Sequence, residues 1–168
     1  LLIITGGVLF NIILAIIIYI ALLFFNGSEY IPTSNLKYGI HCDSLAIEMG
    51  LQNGDKIISV DNKHIENFAK IPEYIILNNA KTIQVIRNNK PHNVIINQKV
   101  IPKLLKSKSP FIEPLFPFEV AEFTQNSTAK KAGIQKGDII KGINDKYLPF
   151  FNEFRKEIVK HKNQTVKI

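Results

Sequence analysis

The chain has 168 residues, with 21 Lys and Arg against 14 Asp and Glu, a net charge of +7, and one cysteine. A single cysteine excludes an internal disulfide. The positive balance does not make a nucleic-acid binder: the basic residues are mostly spread singly among acids and lack the interleaved aromatics of a single-strand binder, so no nucleic-acid partner is expected.

Residues 1–25 carry no charge, and the first charged side chain is Glu29. Thr5, Asn11 and the hydroxyl of Tyr19 are the only polar interruptions. The run exceeds the roughly 18 apolar residues that mark a spanning helix. It has no basic leader and no small-residue cleavage pattern, and it outruns the roughly 7–15 residues of a signal-peptide core. A buried helix apolar on every face would need a larger protein around it. Residues 1–25 are therefore predicted as a transmembrane helix, with the lipid bilayer as partner. The chain opens at Leu1, already inside this run, and is expected to be a piece of something longer. Counting positive charges does not orient it, because that rule fails for long translocated domains.

Asn26-Gly27-Ser28 reads as a break, and residues 26–35 as a short connector containing Pro32. A first unit follows over 36–98. Asp43-Ser44 supplies a helix N-cap, Gly50 the left-handed stop, and Lys56–Val60 a β-branched strand. Asp61-Asn62 is turn chemistry. Asn67 is expected to cap a second helix through Asn78, with Pro72 either near its first turn or marking a later start. Thr82–Arg87 and Asn93–Asn97 read as a hairpin across Asn88-Asn89, residues that tolerate positive φ.

Residues 99–117 are predicted as a linker, with prolines at 102, 110, 114 and 117. Its Lys99, Lys103, Lys106 and Lys108 are expected to be solvated, or to touch anionic headgroups or a partner. A second unit runs over 118–168: a strand at Phe118–Phe123, a short helix capped by Asn126-Ser127 and ended by Gly133, a strand at Ile139–Ile143, a longer helix at Phe150–Lys160, and the start of a strand at Thr165–Ile168. The hairpin that closes the first unit has no counterpart in the second. The second unit is expected to be incomplete, with an unpaired edge.

The pattern S-x-A-x-x-x-G-[LI]-Q-x-G-D occurs at Ser44–Asp55 and again at Ser127–Asp138, 83 residues later. That period is too long for a solenoid and fits a duplicated domain. Its serines, alanines and glycines read as caps, close packing and turns, and Asp55 and Asp138 as acceptors for local turn amides. The repeat is a folding signature and contributes no catalytic residue.

A short helix, Ala-Gly-[Leu/Ile]-x-x-Gly-Asp and an apolar strand together resemble the PDZ domains of bacterial envelope proteases. The second copy, Ala129–Ile140, is the closer match; in the first, Met49 stands where alanine is usual. A membrane helix opening Gly-Gly-Val-Leu-Phe-Asn and followed by two such units resembles site-2-protease-type intramembrane zinc metalloproteases, in the branch of the regulator of sigma-E protease. The stretches Leu104-Leu105-Lys106-Ser107-Lys108 and Pro117-Phe118 look like the Bacteroidetes versions. The expected fold class is one transmembrane α-helix followed by two small α+β PDZ domains, the second truncated.

The resemblance implies a bacterial inner-membrane location with the PDZ pair on the periplasmic side. It implies a parent enzyme that uses zinc to cut a transmembrane anti-sigma factor, the PDZ pair filtering the substrate or reading its newly cleaved end. In that family a Gly-Pro-x-x-Asn motif lies near the active site. Gly7 and Asn11 match it, while Val8 replaces the proline. The family's zinc ligands, a His-Glu-x-x-His pair and a Leu-Asp-Gly aspartate, have no match here, so no catalytic or metal-binding residue is expected in this chain. The histidines at 41, 64, 92 and 161 never fall four apart, and His41-Cys42 is a two-ligand pair without acidic company. PDZ domains take extended peptides by strand addition. The expected grooves use Tyr38, Gly39 and Ile40 with Ile71 and Ile75 in the first unit, and Phe118, Val120 and Phe154 in the second. The alternative reading is a membrane-anchored PDZ scaffold of an envelope or secretion assembly. A trypsin-like envelope protease would need an upstream serine-protease domain, of which this chain carries no trace.

Overall fold

The computed structural model describes residues 2–27 and 29–168, the side chains of residues 2–5 and 26 excepted. Leu1 and Ser28, which belong to the expected span and break, lie outside the described residues. The chain divides into two compact units, Leu1–Ile31 and Pro32–Ile168.

The first unit is helix α1 (Leu2–Asn26), 25 residues without an acid in its first turn or a base in its last. At 1.5 Å per residue it extends about 37 Å, enough for a hydrocarbon layer of about 30 Å. Its Gly6–Phe25 stretch is long and apolar enough to cross a membrane. From residue 6 to 25 its side chains are exposed apart from half-buried Ala21, and apart from Asn11 and the Tyr19 hydroxyl they are apolar.

The second unit contains both copies of the repeat. In its first lobe come β1 (Ile40–Cys42), α2 (Ser44–Met49), β2 (Lys56–Val60), α3 (Ile71–Leu77), β3 (Thr82–Arg87), β4 (Lys90–Ile95), α4 (Ile101–Lys106) and β5 (Ile112–Pro114). Asp43 caps α2 by accepting from the Ala46 amide at 2.9 Å, and Gly50 closes it at φ 105°. Asn67 caps a 3-10 turn at Phe68–Lys70, and α3 starts after it, the later of the two starts open to the sequence, with Pro72 in its first turn. β2, β3 and β4 form an antiparallel sheet in that order. The β3–β4 turn is made by Asn88 and Asn89 at φ 51° and 60°, the mirror-image turn that matches strand twist.

Two expected boundaries shift. Thr33 is buried in the presumed connector, its hydroxyl donating to the Ile65 carbonyl at 2.6 Å, and Leu36 joins the core. The presumed linker is not a solvated tether either. It folds as α4 and β5, with Val100, Ile101, Leu104, Phe111 and Ile112 buried in the core of the first lobe. Apolar residues spaced between its prolines supply the burial that a linker lacks, each worth about 1.5–3 kcal/mol when fully enclosed. Lys103, from the basic run, pairs with Glu48 of α2 at 2.6 Å.

The second lobe has β6 (Phe118–Glu119), α5 (Thr128–Lys131), β7 (Ile139–Ile140), β8 (Gly142–Ile143), β9 (Lys146–Tyr147) and α6 (Phe151–Ile158). β6 pairs with β7, and β8 with β9. Ser127 caps α5, one position later in the repeat than Asp43 does in the first copy. Asn144 and Asp145 reproduce the Asp61-Asn62 turn at positive φ. The core here is Ile140, Ile143, Leu148 and Phe154, with Phe118, Val120, Ile134 and Ile158 half-buried against it.

Candidate functional site

Gly7 and Asn11 stand four residues apart on α1, so they share one helix face. A Cβ added at Gly7 would meet nothing within 4 Å, and Asn11 is exposed. Together they make a small-and-polar strip on an otherwise apolar helix, the pattern that lets a second helix approach closely and hydrogen-bond.

In the first lobe, the residues expected to line a groove are brought together but enclosed. Ile40, Ile71 and Ile75 are all fully buried, so their side chains belong to the core and not to an open surface. Tyr38 is exposed along one side, with its ring 5.6 Å from that of Phe150 and Lys37 above it. Gly39 has φ 76°, and a Cβ there would lie 2.4 Å from the Gly54 carbonyl oxygen. That contact is why the chain can cross at this point only as glycine.

Strand β1 is bonded along both edges. On one, the Ile40 amide donates to Asp55 O at 3.0 Å, and the Gly54 amide to Ile40 O at 2.8 Å. On the other, β5 runs antiparallel with Ile40 opposite Pro114, His41 opposite Glu113 and Cys42 opposite Ile112. The edge expected to receive a peptide is thus filled by the chain's own β5. Nothing local in the sequence announced this, because Ile112-Glu113-Pro114 is short and carries a proline.

In the second lobe Phe118, Val120 and Phe154 do converge. The Phe118 ring lies 4.7 Å from Phe154 and 5.3 Å from Phe151. The Val120 amide donates to Asp138 O at 2.9 Å. Phe154 is buried, Phe118 and Val120 half-buried, and among the described residues β6 pairs with no strand except β7.

Between the lobes lies a polar junction that the sequence did not reveal. Asn152 of α6, itself buried, donates to Glu113 of β5 at 2.6 Å, and Arg155 approaches the other carboxylate oxygen at 3.4 Å. Lys156 Nζ sits 2.7 Å from His41 Nε2. A lysine ammonium has donors only, so Nε2 is the acceptor of this contact. Among the described residues, His41 Nδ1 and Glu153 Oε2 are buried atoms without a hydrogen-bond partner.

The aspartates of the repeat accept turn amides, as the sequence implies: Asp55 from Gln52 at 2.9 Å and Asp138 from Gln135 at 2.8 Å. Asp55 is fully buried and also takes a forked pair of bonds from Arg87. The Arg87 pKa rises, first through its bond to Asp55, against the opposing effect of burial. Burial alone would raise the Asp61 pKa, but the Thr82 and Lys81 amides and the Thr82 hydroxyl hold it below the ordinary value.

A protein from Helicobacter pylori (strain J99) named "Putative zinc metalloprotease" is 28% identical over 103 residues, which is 61% of this chain and 27% of that protein. A protein so named from Staphylococcus aureus (strain COL) is 29% identical over 118 residues, 69% of this chain and 27% of its own length. This chain is distantly similar to zinc metalloproteases. No family model matches it. The match spans only about a quarter of the curated relatives' length.

The residues described do not fit a zinc site. No three His, Cys, Asp or Glu side chains among them are grouped to hold a metal. His41 is committed through Nε2 to Lys156. The Cys42 thiol is pushed up to about 12, by burial first and then by the charges of Asp55 and Asp43, which disfavours the thiolate that a metal requires.

Proposed function

We propose that this chain is the non-catalytic middle of a membrane-embedded zinc metalloprotease of the site-2 type, which cuts a transmembrane protein within the bilayer. On this reading α1 flanks the zinc site through its Gly7–Asn11 strip. The two lobes are PDZ domains on the periplasmic side of a bacterial inner membrane, and they filter the substrate or read its newly cleaved end. Zinc would be held by residues outside this chain and would supply Lewis-acid and water-activating chemistry there.

The observation that carries the reading is the similarity of about two thirds of this chain to zinc metalloproteases, in a segment whose own residues do not fit zinc. A duplicated lobe behind a helix long and apolar enough to cross a membrane fits the selection of substrates. In the second lobe the flank of β6 beside α6, bridged at its start where Pro117 faces Phe150 and lined beyond by Phe118 and Phe154, is the surface that best fits an added strand. The lipid bilayer and a transmembrane substrate are the partners of this reading.

The complete coding sequence tests the assignment. A His-Glu-x-x-His motif on a helix just before Leu1 is expected, and its absence sinks the enzyme reading. The filtering role is tested on the parent protein reconstituted in lipid, with residues 32–168 removed. The truncated enzyme should cut a substrate that retains its full extramembrane domain, which the intact enzyme rejects. Equal rejection by both would leave the lobes without this task.

A further inference from the structure

Strand β1 and its partner β5 make a two-stranded ribbon with two unlike faces. Alternation puts Ile40, Cys42 and Ile112 in the core and turns His41 and Glu113 to the other face, directly opposite one another. Helix α6 of the second lobe meets that face. Its Asn152, Arg155 and Lys156 fall at i, i+3 and i+4, so they form one stripe of the helix. Asn152 bonds to Glu113 at 2.6 Å, Arg155 approaches the same carboxylate at 3.4 Å, and Lys156 donates to His41 Nε2 at 2.7 Å.

Both residues by which the ribbon holds α6 are thus titratable, and they are cross-strand neighbours. A neutral imidazole can accept Lys156 at Nε2. An imidazolium has two N–H donors and no acceptor, so a proton on Nε2 and the Lys156 bond exclude each other.

The charged groups around the ring decide where an imidazolium turns. Helix α6 offers two cations, Arg155 and Lys156; its Glu153 follows Asn152 directly and is off the stripe. On the β1 side, Asp43 is engaged in capping α2, and Asp55 in the fork from Arg87. Glu113 remains, at cross-strand distance. Its hold on α6 is a neutral amide and an arginine that is 54% exposed, both weaker partners for a carboxylate than an adjacent imidazolium. His41 Nδ1 is also buried without a hydrogen-bond partner, so the joint as it stands leaves one polar atom unsatisfied.

We propose that His41 and Glu113 form a proton-operated clasp between the lobes. With His41 neutral, each of the two holds α6. When His41 takes up a proton it releases Lys156, pairs with Glu113 across the ribbon and draws that carboxylate off Asn152. The lobes then stay in touch through the Tyr38–Phe150 ring contact, about which the second can turn. Histidine changes charge between about pH 5 and pH 8, so release belongs to mild acidification.

Spin labels on Lys90→Cys in the first lobe and Lys136→Cys in the second, both exposed positions, report the distance between the lobes in the full chain in detergent micelles. Cys42 is buried and does not compete for the label. Pulsed electron resonance should give one narrow distance at about pH 8 and a broad distribution at about pH 5. The ratio of fastened to released molecules should fall about tenfold or more, as the loss of a charge-assisted bond implies, with the far-ultraviolet circular dichroism unchanged. His41→Gln, whose amide oxygen can accept from Lys156 and takes no proton, should keep the narrow distance at both pH values. Glu113→Gln keeps an acceptor for Asn152 but offers the imidazolium no charge, and should release less than the parent. The same distribution at both pH values overturns the proposal, as does release in His41→Gln equal to that of the parent. Release that comes with loss of circular dichroism is unfolding and overturns it too. Full release in Glu113→Gln overturns the pairing across the ribbon.

Discussion

Arg87 holds both carboxylate oxygens of Asp55, Nε to Oδ1 at 2.8 Å and a terminal nitrogen to Oδ2 at 2.7 Å, and its terminal nitrogen also reaches Gly50 O at 3.0 Å. One side chain at the end of β3 thus ties together the cap of α2 and the turn before β2.

Arg87→Ala should destabilise the first lobe by about 3–5 kcal/mol, because it strands a fully buried carboxylate. Asp138→Asn removes only an exposed acceptor of one turn amide, and should cost under about 1 kcal/mol. Urea denaturation of the full chain in micelles, followed by circular dichroism, compares the two. Similar losses in both variants would remove the asymmetry between the copies.

Gly39→Ala should be among the most damaging single changes, at about 3 kcal/mol or more. It combines positive φ with a Cβ 2.4 Å from the Gly54 carbonyl oxygen. Gly133→Ala shares the positive φ but has open space around it, so strain alone of about 1–2 kcal/mol is expected. The midpoints of the same denaturation curves read both.

Glu157 sits among Lys146, Lys160 and His161, and its pKa is lowered from 4.5 to about 2, first by the Lys146 bond and then by the Lys160 bond. A depressed folded pKa stabilises the fold above the unfolded value. That contribution fades as the pH falls from about 4.5 through about 2. Glu157→Gln should therefore be less stable than the parent at pH 7, with the gap closing between pH 4.5 and pH 2. A gap constant with pH would assign the effect to packing.

Cys42 should resist alkylation in the folded protein. A thiol moved from 9.0 to about 12 holds about a thousandfold less thiolate at any pH below both values. Burial at 3% exposure slows the reagent further. Iodoacetamide labelling followed by mass spectrometry should show modification only at the rate of local opening, and Arg87→Ala should accelerate it.

Asn152→Ala and Glu113→Ala should each loosen the junction between the lobes, with a coupling of about 1–2 kcal/mol in the double-mutant cycle. Additive effects would mean that the 2.6 Å bond contributes nothing of its own.

Local chemistry made much of this fold readable in advance. The caps at Asp43 and Ser127, the stop at Gly50 and the Asn88-Asn89 turn follow from the conformational preferences of single residues, so they stood in the sequence. Arg87–Asp55 and Glu113–Asn152 did not, because the partners are 32 and 39 residues apart and only tertiary packing joins them. The fold of segment 99–117 is hidden from the sequence for a related reason. Its prolines read as linker, while Leu104, Phe111 and Ile112 find their burial only against a sheet formed earlier in the chain. The proposed groove residues failed in part because period-2 and period-3.6 patterns mark a buried face without telling a core from a cleft. Ile71 and Ile75 fit either, and they are core.

The pairing of β5 with β1 makes the first lobe its own competitor. Any strand that seeks that edge must first evict Ile112–Pro114, so its apparent affinity falls in proportion to the fraction of molecules in which the seat stands empty. Eviction also breaks the hold of Glu113 on Asn152, and with it one fastening of the second lobe to the first. Occupancy at one end of the unit would then be felt as an angle at the other.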